Sequence, residues 1–111
     1  SVSRYAVIGE GTVIFACAVV NADAKVGIGW ILNTGCSIDH DCVLGAAVHI
    51  SPGARLAGGV QVGDLSWIGI GASVRQMTSI GLRVLVGAGA VVVNEIPDGE
   101  TVAGVPAKKL G

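Results

Sequence analysis

Aromatic side chains make up only 4% of this 111-residue chain, although apolar residues reach 51%. A thick globular core draws on large rings, so a thin, regular core of Val, Ile, Leu and Ala is expected instead. Apolar positions near every 3.6 residues are also missing, which excludes an amphipathic helix as the main element. The net charge is −1 and no basic run occurs, so nothing points to nucleic acid or to an anionic membrane surface. Gly, Asn, Asp, Arg and Lys break every apolar stretch before it is long enough to span a bilayer. There are three cysteines, an odd number that suggests no disulfide framework and fits the cytoplasm. The length allows one domain.

What is abundant is repetition. An apolar β-branched residue or leucine returns at every sixth position, fifteen times, from Ile8 and Ile14 through Ile38, Leu44 and Ile50 to Val86 and Val92. Glycine follows it at Gly9, Gly27, Gly45, Gly63 and Gly81, every eighteen residues. A period of six nested in eighteen describes a coil with three equal sides, so the predicted fold is all-β, a triangular solenoid of about five coils. Four positions after each apolar residue comes a mostly small one, including Cys36, Cys42, Ala54, Ser66, Ala72, Thr78 and Ala90, which suits narrow corners. Cys36 and Cys42 are therefore expected in the core as small residues, and Cys17 outside it. Strands one coil apart lie about 4.8 Å from each other, giving a prism roughly 24 Å tall. The glycines are expected to supply turn conformations at the corners.

The ends are asymmetric. The repeat is already in phase at Ile8, which leaves little to cap the first coil. An upstream domain, or another chain, is expected to cover that end. No signal peptide is visible. The hexad repeats run over residues 8–92. Pro97-Asp98-Gly99 then breaks them, and residues 93–111 are expected to form a cap and tail.

The two histidines, His40 and His49, both fall at outward phases of the six-residue period. An outward histidine is usually a plain surface residue. His40 differs in its surroundings. Asp39 and Asp41 flank it, and the positions eighteen residues away are Ala22 and Gly58, both small, which leaves room for a ligand. A carboxylate beside an imidazole orients it and favours the protonated form that a general base acquires.

Certain segments resemble a known family. Asn33 through His40-Asp41, then Val48-His49-Ile50-Ser51-Pro52-Gly53-Ala54, then Leu56-Ala57-Gly58-Gly59, are similar to the sialic acid O-acetyltransferases. They are equally similar to the UDP-amino-sugar N-acetyltransferases, both groups being hexapeptide-repeat acyltransferases. The closing Val102-Ala103-Gly104-Val105-Pro106-Ala107 fits the same pattern. The resemblance covers essentially the whole chain. It implies a left-handed parallel β-helix, an exception to the usual right-handed crossover. It implies a cytoplasmic homotrimer with sites at the subunit boundaries, which transfers an acetyl group from acetyl-coenzyme A to a hydroxyl or amino group of a sugar, without a metal. By the same resemblance His40 is the base, Asp41 tunes it, and Asn33 holds the acceptor or the base. The N–H of Gly58 stabilises the oxyanion, His49 contacts the cofactor near its thioester, and Ile70 and Ala88 line the groove for the pantetheine arm. A thioester is already activated, so a base, an oxyanion donor and alignment suffice.

Three departures stand out. The N-terminal nucleotide-sugar-binding domain of full-length members is not in this sequence. Ala46 follows Gly45 where the family commonly has Gly-Asp, which should weaken a turn. Trp30 falls on a small-residue corner, so a local distortion is expected near Asn33. Lys108 and Lys109 either meet the phosphates of coenzyme A or form a mobile basic tail. Trp67, eighteen residues after His49, either packs on that imidazole or covers a subunit interface. Two rivals fare worse. A trimeric β-helical carbonic anhydrase needs three zinc-binding histidines. A non-catalytic scaffold has no need of Asn33, His40-Asp41 and His49 together, although a shortened, silent acyltransferase domain is compatible with the same residues.

Overall fold

The computed structural model describes residues 34–110, together with the backbone pairing of the strands at 7–8, 13–14, 19–20, 25–26 and 31–32. Short strands form three sheets. The first holds Val7–Ile8, Lys25–Val26, Val43–Leu44, Gln61–Val62 and Ser79–Ile80. The second holds Val13–Ile14, Ile31–Leu32, His49–Ile50, Trp67–Ile68, Leu85–Val86, Thr101–Ala103 and Lys108–Lys109. The third holds Val19–Val20, Ser37–Ile38, Arg55–Leu56, Ser73–Val74 and Val91–Val92. Apart from the last, the strands pair in parallel with those one coil on, as Ile50 does with Ile68 and Leu44 with Val62. The chain visits the third, first and second sheets in turn, so the cross-section is the triangle that the eighteen-residue period predicts.

In the strands from Ser37–Ile38 to Val91–Val92 the second residue points inward. Ile38, Ile50, Leu56, Ile68 and Val86 are fully buried, and each such side chain contributes roughly 1.5–3 kcal/mol. The position four residues later is buried as well. Cys36, Cys42, Ala54 and Ala72 fill it as expected, but Val48, Val60 and Val84 also fit, so the corners are less narrow than the small residues imply. Burial pushes the Cys36 thiol up to about 11 and raises that of Cys42, so both behave as inert core residues. Ser66 occupies the same phase without leaving a polar group stranded. Its hydroxyl donates to Gly81 O at 2.8 Å and accepts from Val84 N at 3.0 Å.

The corners have a period of their own. A left-handed residue recurs every six positions, at Gly35, Asp41, Ala47, Gly53, Gly59, Leu65, Gly71, Met77, Arg83 and Gly89. The described glycines of the eighteen-residue period are not among them. Gly45, Gly63 and Gly81 adopt ordinary backbone angles, and close packing is what requires them. A Cβ on Gly63 would lie 2.7 Å from Gly81 C and O and 2.8 Å from Leu82 N, all backbone atoms of the next coil. The expected turn role is thus replaced by a stacking role.

The six-residue spacing ends at Val92, but the coil does not. Ile96 pairs with Ile80, and Val102 with Val86, each sixteen residues on rather than eighteen. Both are buried. Two residues are lost at the corner after Val92, and Pro97-Asp98-Gly99 forms the next corner of this shortened coil. The Oδ1 of Asp98 accepts from Leu82 N at 2.8 Å, and Gly99 N donates to Leu82 O at 2.8 Å. Lys108–Lys109 then folds back antiparallel on Thr101–Ala103, so the two lysines sit on a strand rather than on a free tail. These additions lengthen the second sheet to seven strands, and the long dimension is 40 Å.

Candidate active site

Three of the expected site residues meet at one corner, where the third sheet turns into the first. His40 and Asp41 form the turn after Ser37–Ile38, and Gly58 is the residue one coil above His40. Asp41 has a φ of 60°, a conformation that aspartate tolerates better than most residues. Its Oδ2 lies 3.2 Å from His40 Nδ1. A carboxylate can only accept, so the neutral ring carries its hydrogen on Nδ1 and keeps the lone pair of Nε2 free. Asp39 contributes differently, its Oδ1 accepting from His40 N at 3.2 Å. Both side chains of the pair are open to solvent, at 66% and 65% exposure.

Gly58 is the seat of the imidazole. A Cβ there would lie 2.6 Å from His40 Cε1 and 2.8 Å from Nε2, so any side chain would collide with the ring. Gly59 N donates to His40 O at 2.9 Å, and Gly58 O accepts from Met77 N at 2.9 Å, fixing the three coils in register. The N–H of Gly58 has no partner among the described residues. At the neighbouring corner the corresponding groups of Ala46 and Leu82 are taken by Asp64 and Asp98, each at 2.8 Å. The Asp64 contact also ties down the turn that the Ala46 departure was expected to weaken. A base with a free lone pair and an unused N–H donor thus lie side by side, the two elements that acyl transfer to a nucleophile requires.

A shallow hollow of about 420 Å³ opens here, lined by His40, Asp41, Gly58, Gly59, Gln61, Gln76 and Met77. Gln61, Gln76 and Met77 were not singled out from the sequence. Gln76 and Met77 lie thirty-six residues after His40 and Asp41, so counting two coils up would have found them.

The other expected residues lie elsewhere. His49 is in the middle of the second sheet, the side of the triangle that does not meet the His40 corner. Its ring stacks on Trp67, and burial lowers its pKa below the ordinary histidine value. Ile70 and Ala88 are exposed, one above the other, at the corner between the second and third sheets. Gly89 N donates to Ile70 O at 2.7 Å, and Cβ atoms on Gly71 and Gly89 would meet nothing within 4 Å. That corner is an open edge along which an extended arm could lie. Within one chain the His40 group and the His49 group are therefore not brought together. Asn33 lies outside the described residues, as do Ala22, Cys17 and Trp30. No group of three or more metal-ligating side chains occurs among the described residues, and no described helix is long and apolar enough to cross a membrane.

Known proteins share this architecture. The acetyltransferase domain of PglB from Neisseria gonorrhoeae is 55% identical, with a TM-score of 0.98 over 99% of this chain and 54% of that one. A second structure of that domain, in complex with acetyl coenzyme A, has a TM-score of 0.96 and covers 98% of this chain and 53% of that one. PerB from Caulobacter crescentus, in complex with CoA and GDP-perosamine, is 47% identical, with a TM-score of 0.98 over 99% of this chain and 53% of that one. Among curated proteins, the GDP-perosamine N-acetyltransferase of Escherichia coli O157:H7 is 32% identical over 96% of this chain. The chain spans only 50% of that relative's length. No protein-family model matches. The coil shares the hand of these structures, so the fold is a left-handed parallel β-helix. The chain belongs to the hexapeptide-repeat sugar acetyltransferase family.

Proposed function

We propose that this chain is the acyl-transfer part of an acetyl-coenzyme A-dependent N-acetyltransferase acting on a nucleotide-linked amino sugar. The observation that carries the reading is the seat of His40, whose ring is held by Asp41 and rests on Gly58. The Nε2 of His40 takes a proton from the acceptor nitrogen as it attacks the thioester carbon, and the C–S bond then breaks to release coenzyme A, whose sulfur takes up that proton. The N–H of Gly58 donates to the thioester oxygen as negative charge builds there. Asp41 keeps the ring oriented through its contact with Nδ1, and Asn33 helps to hold the acceptor or the base. Amine acceptors are preferred over hydroxyls because the perosamine enzymes are N-acetyltransferases by name.

The separation of the two residue groups supports a site shared between copies. The reading is a homotrimer in which the His40 corner of one subunit faces the His49, Ile70 and Ala88 side of the next. His49 meets the thioester end of acetyl-coenzyme A, and Ile70 and Ala88 flank its pantetheine arm. The reading puts the enzyme in the cytoplasm, in keeping with the free thiols of Cys36 and Cys42.

The test is acetyl transfer by His40→Ala, His49→Ala and their mixture. His40→Ala should lose about 10²–10⁴-fold in turnover, the range for a positioned base. His49→Ala should weaken acetyl-coenzyme A binding. Mixed subunits should regain activity, because one boundary then combines an intact His40 with an intact His49. Near-wild-type turnover by His40→Ala would remove the base assignment, and absence of complementation would place the whole site in one chain.

A further inference from the structure

Met77 is the single methionine of the chain, and it is 75% exposed. The thiols of Cys36 and Cys42, by contrast, are buried. The exposure follows from its place in the coil. Met77 has a φ of 59°, and Asp41, Ala47, Leu65 and Arg83, which share that left-handed corner conformation, are exposed as well. One coil below, the same place is held by Gly59. The Met77 Sδ and Cε fill the space that a Cβ on Gly59 would occupy, so the thioether lies flat across that glycine. There it forms part of the wall of the hollow shared with His40, Asp41, Gln61 and Gln76. Met77 also lines a second hollow of about 330 Å³, which extends to Arg75 and Asn94. An oxidisable sulfur, open from two sides, thus stands in the wall of the site that carries the base.

We propose that Met77 is a site of reversible oxidative modification, whose sulfoxide shuts down acetyl transfer at the His40 hollow. The effect on transfer rests on the acetyltransferase reading above. A lone pair of Sδ attacks one oxygen of hydrogen peroxide and the O–O bond breaks. The sulfur keeps that oxygen, and the other leaves as water, so the sulfur is oxidised by two electrons and the peroxide is reduced by two. Burial holds Cys36 and Cys42 in the unreactive thiol form, so the same oxidant spares them. The product puts a polar group where an apolar one lay on backbone. Its oxygen is a hydrogen-bond acceptor, and the amides of Gln61 and Gln76 line the same hollow as donors. The modified side chain takes up those donors and adds an atom to the wall beside the base. A methionine sulfoxide reductase reverses the change, a dithiol being oxidised to a disulfide while the oxygen leaves as water.

The experiment treats the whole protein with hydrogen peroxide and follows two readouts, the mass of the peptide holding Met77 and the rate of acetyl transfer relative to the same protein untreated. Wild type should gain one oxygen at Met77 and lose about 10-fold or more in rate, the scale of disturbing one contact in a positioned site. A methionine sulfoxide reductase with a dithiol should remove the oxygen and return the rate. Met77→Leu should keep its own starting rate through the treatment. Cys17 is present in both proteins, so its oxidation would lower both rates alike. Equal losses in wild type and Met77→Leu, full rate with Met77 oxidised, or no oxygen gained at Met77 would each overturn the modification site and leave the acetyltransferase reading intact. Failure of untreated wild type to transfer acetyl to any nucleotide-linked amino sugar would overturn that reading and this inference with it.

Discussion

The imidazole of His49 lies flat against the indole of Trp67, with ring centroids 3.9 Å apart and planes 1° from parallel. The two residues are register partners on adjacent coils, so the backbone ladder itself brings the rings together. Stacking covers one face of the imidazole, and the resulting desolvation lowers its pKa. The folded chain therefore binds a proton at His49 less readily than the unfolded chain does. The stabilisation is complete above the unfolded value of about 6.5 and is lost as pH falls through the lower folded value. Wild type should lose more Tm than His49→Phe between about pH 7.5 and 5.5. In a Trp30→Phe background, Trp67 emission should fall over the same acid range. Equal Tm losses in the two proteins would show that His49 titrates as an ordinary surface histidine.

Gly58 gives a second prediction, because its missing side chain is where the ring of His40 sits. Gly58→Ala would place a methyl 2.6 Å from His40 Cε1. The ring is exposed and can swing away, so the fold should survive with little change in Tm. The base would then be displaced by an ångström or more, which costs about 10²-fold in turnover. Acetyl-coenzyme A affinity should stay within a few-fold. Undiminished turnover in Gly58→Ala would mean that the ring position seen here is not the working one.

A third prediction concerns the shortened coil. Asp98 accepts from Leu82 N at 2.8 Å across sixteen residues, where Asp64 makes the same contact to Ala46 across eighteen. The carboxylate therefore pins the two-residue deletion in place. Asp98→Ala should cost about 1 kcal/mol, the usual net worth of an accessible hydrogen bond. Asp98→Asn should recover most of it. Amide exchange at Leu82 should accelerate in the alanine variant, and unchanged exchange would show that the corner closes without the carboxylate.

The triangular coil was legible because inward positions admit few residue types, and any lapse in a core this thin exposes apolar surface. Ile38, Leu44 and Ile50 are the pattern itself. The continuation through Ile96 and Val102 was hidden because losing two residues at one corner destroys the spacing while preserving the stack. The left-handed corner residues were hidden for a different reason. Asp41, Ala47, Leu65, Met77 and Arg83 share a backbone conformation with five glycines but no side-chain chemistry. His40, Asp41 and Gly58 were found at one corner, since eighteen residues is one coil. The spacing of nine between His40 and His49 is half a coil, so their placement on opposite sides of the prism was implicit in the same arithmetic. Gln76 and Met77 required two coils to be counted together with the knowledge that Gly58 and Gly59 lie open between them.

The corners also make glycine substitutions act in opposite directions, which provides the last prediction. Ala47 has a φ of 54°, and its side chain is exposed. The left-handed region costs an alanine roughly 1–2 kcal/mol, and the extra unfolded-state entropy of glycine takes back about 0.5–1. Ala47→Gly should therefore be neutral to stabilising, by up to about 1 kcal/mol. Gly63 is the converse case, with ordinary angles and backbone atoms of Gly81 and Leu82 crowding its Cβ direction at 2.7–2.8 Å. Gly63→Ala can be accommodated only by separating two coils, so it should cost about 1–3 kcal/mol, the range for overpacking. Denaturant melts of the two variants should move the midpoint in opposite directions, or leave Ala47→Gly unmoved. A Gly63→Ala protein as stable as wild type would mean that the eighteen-residue glycine period does not reflect coil stacking.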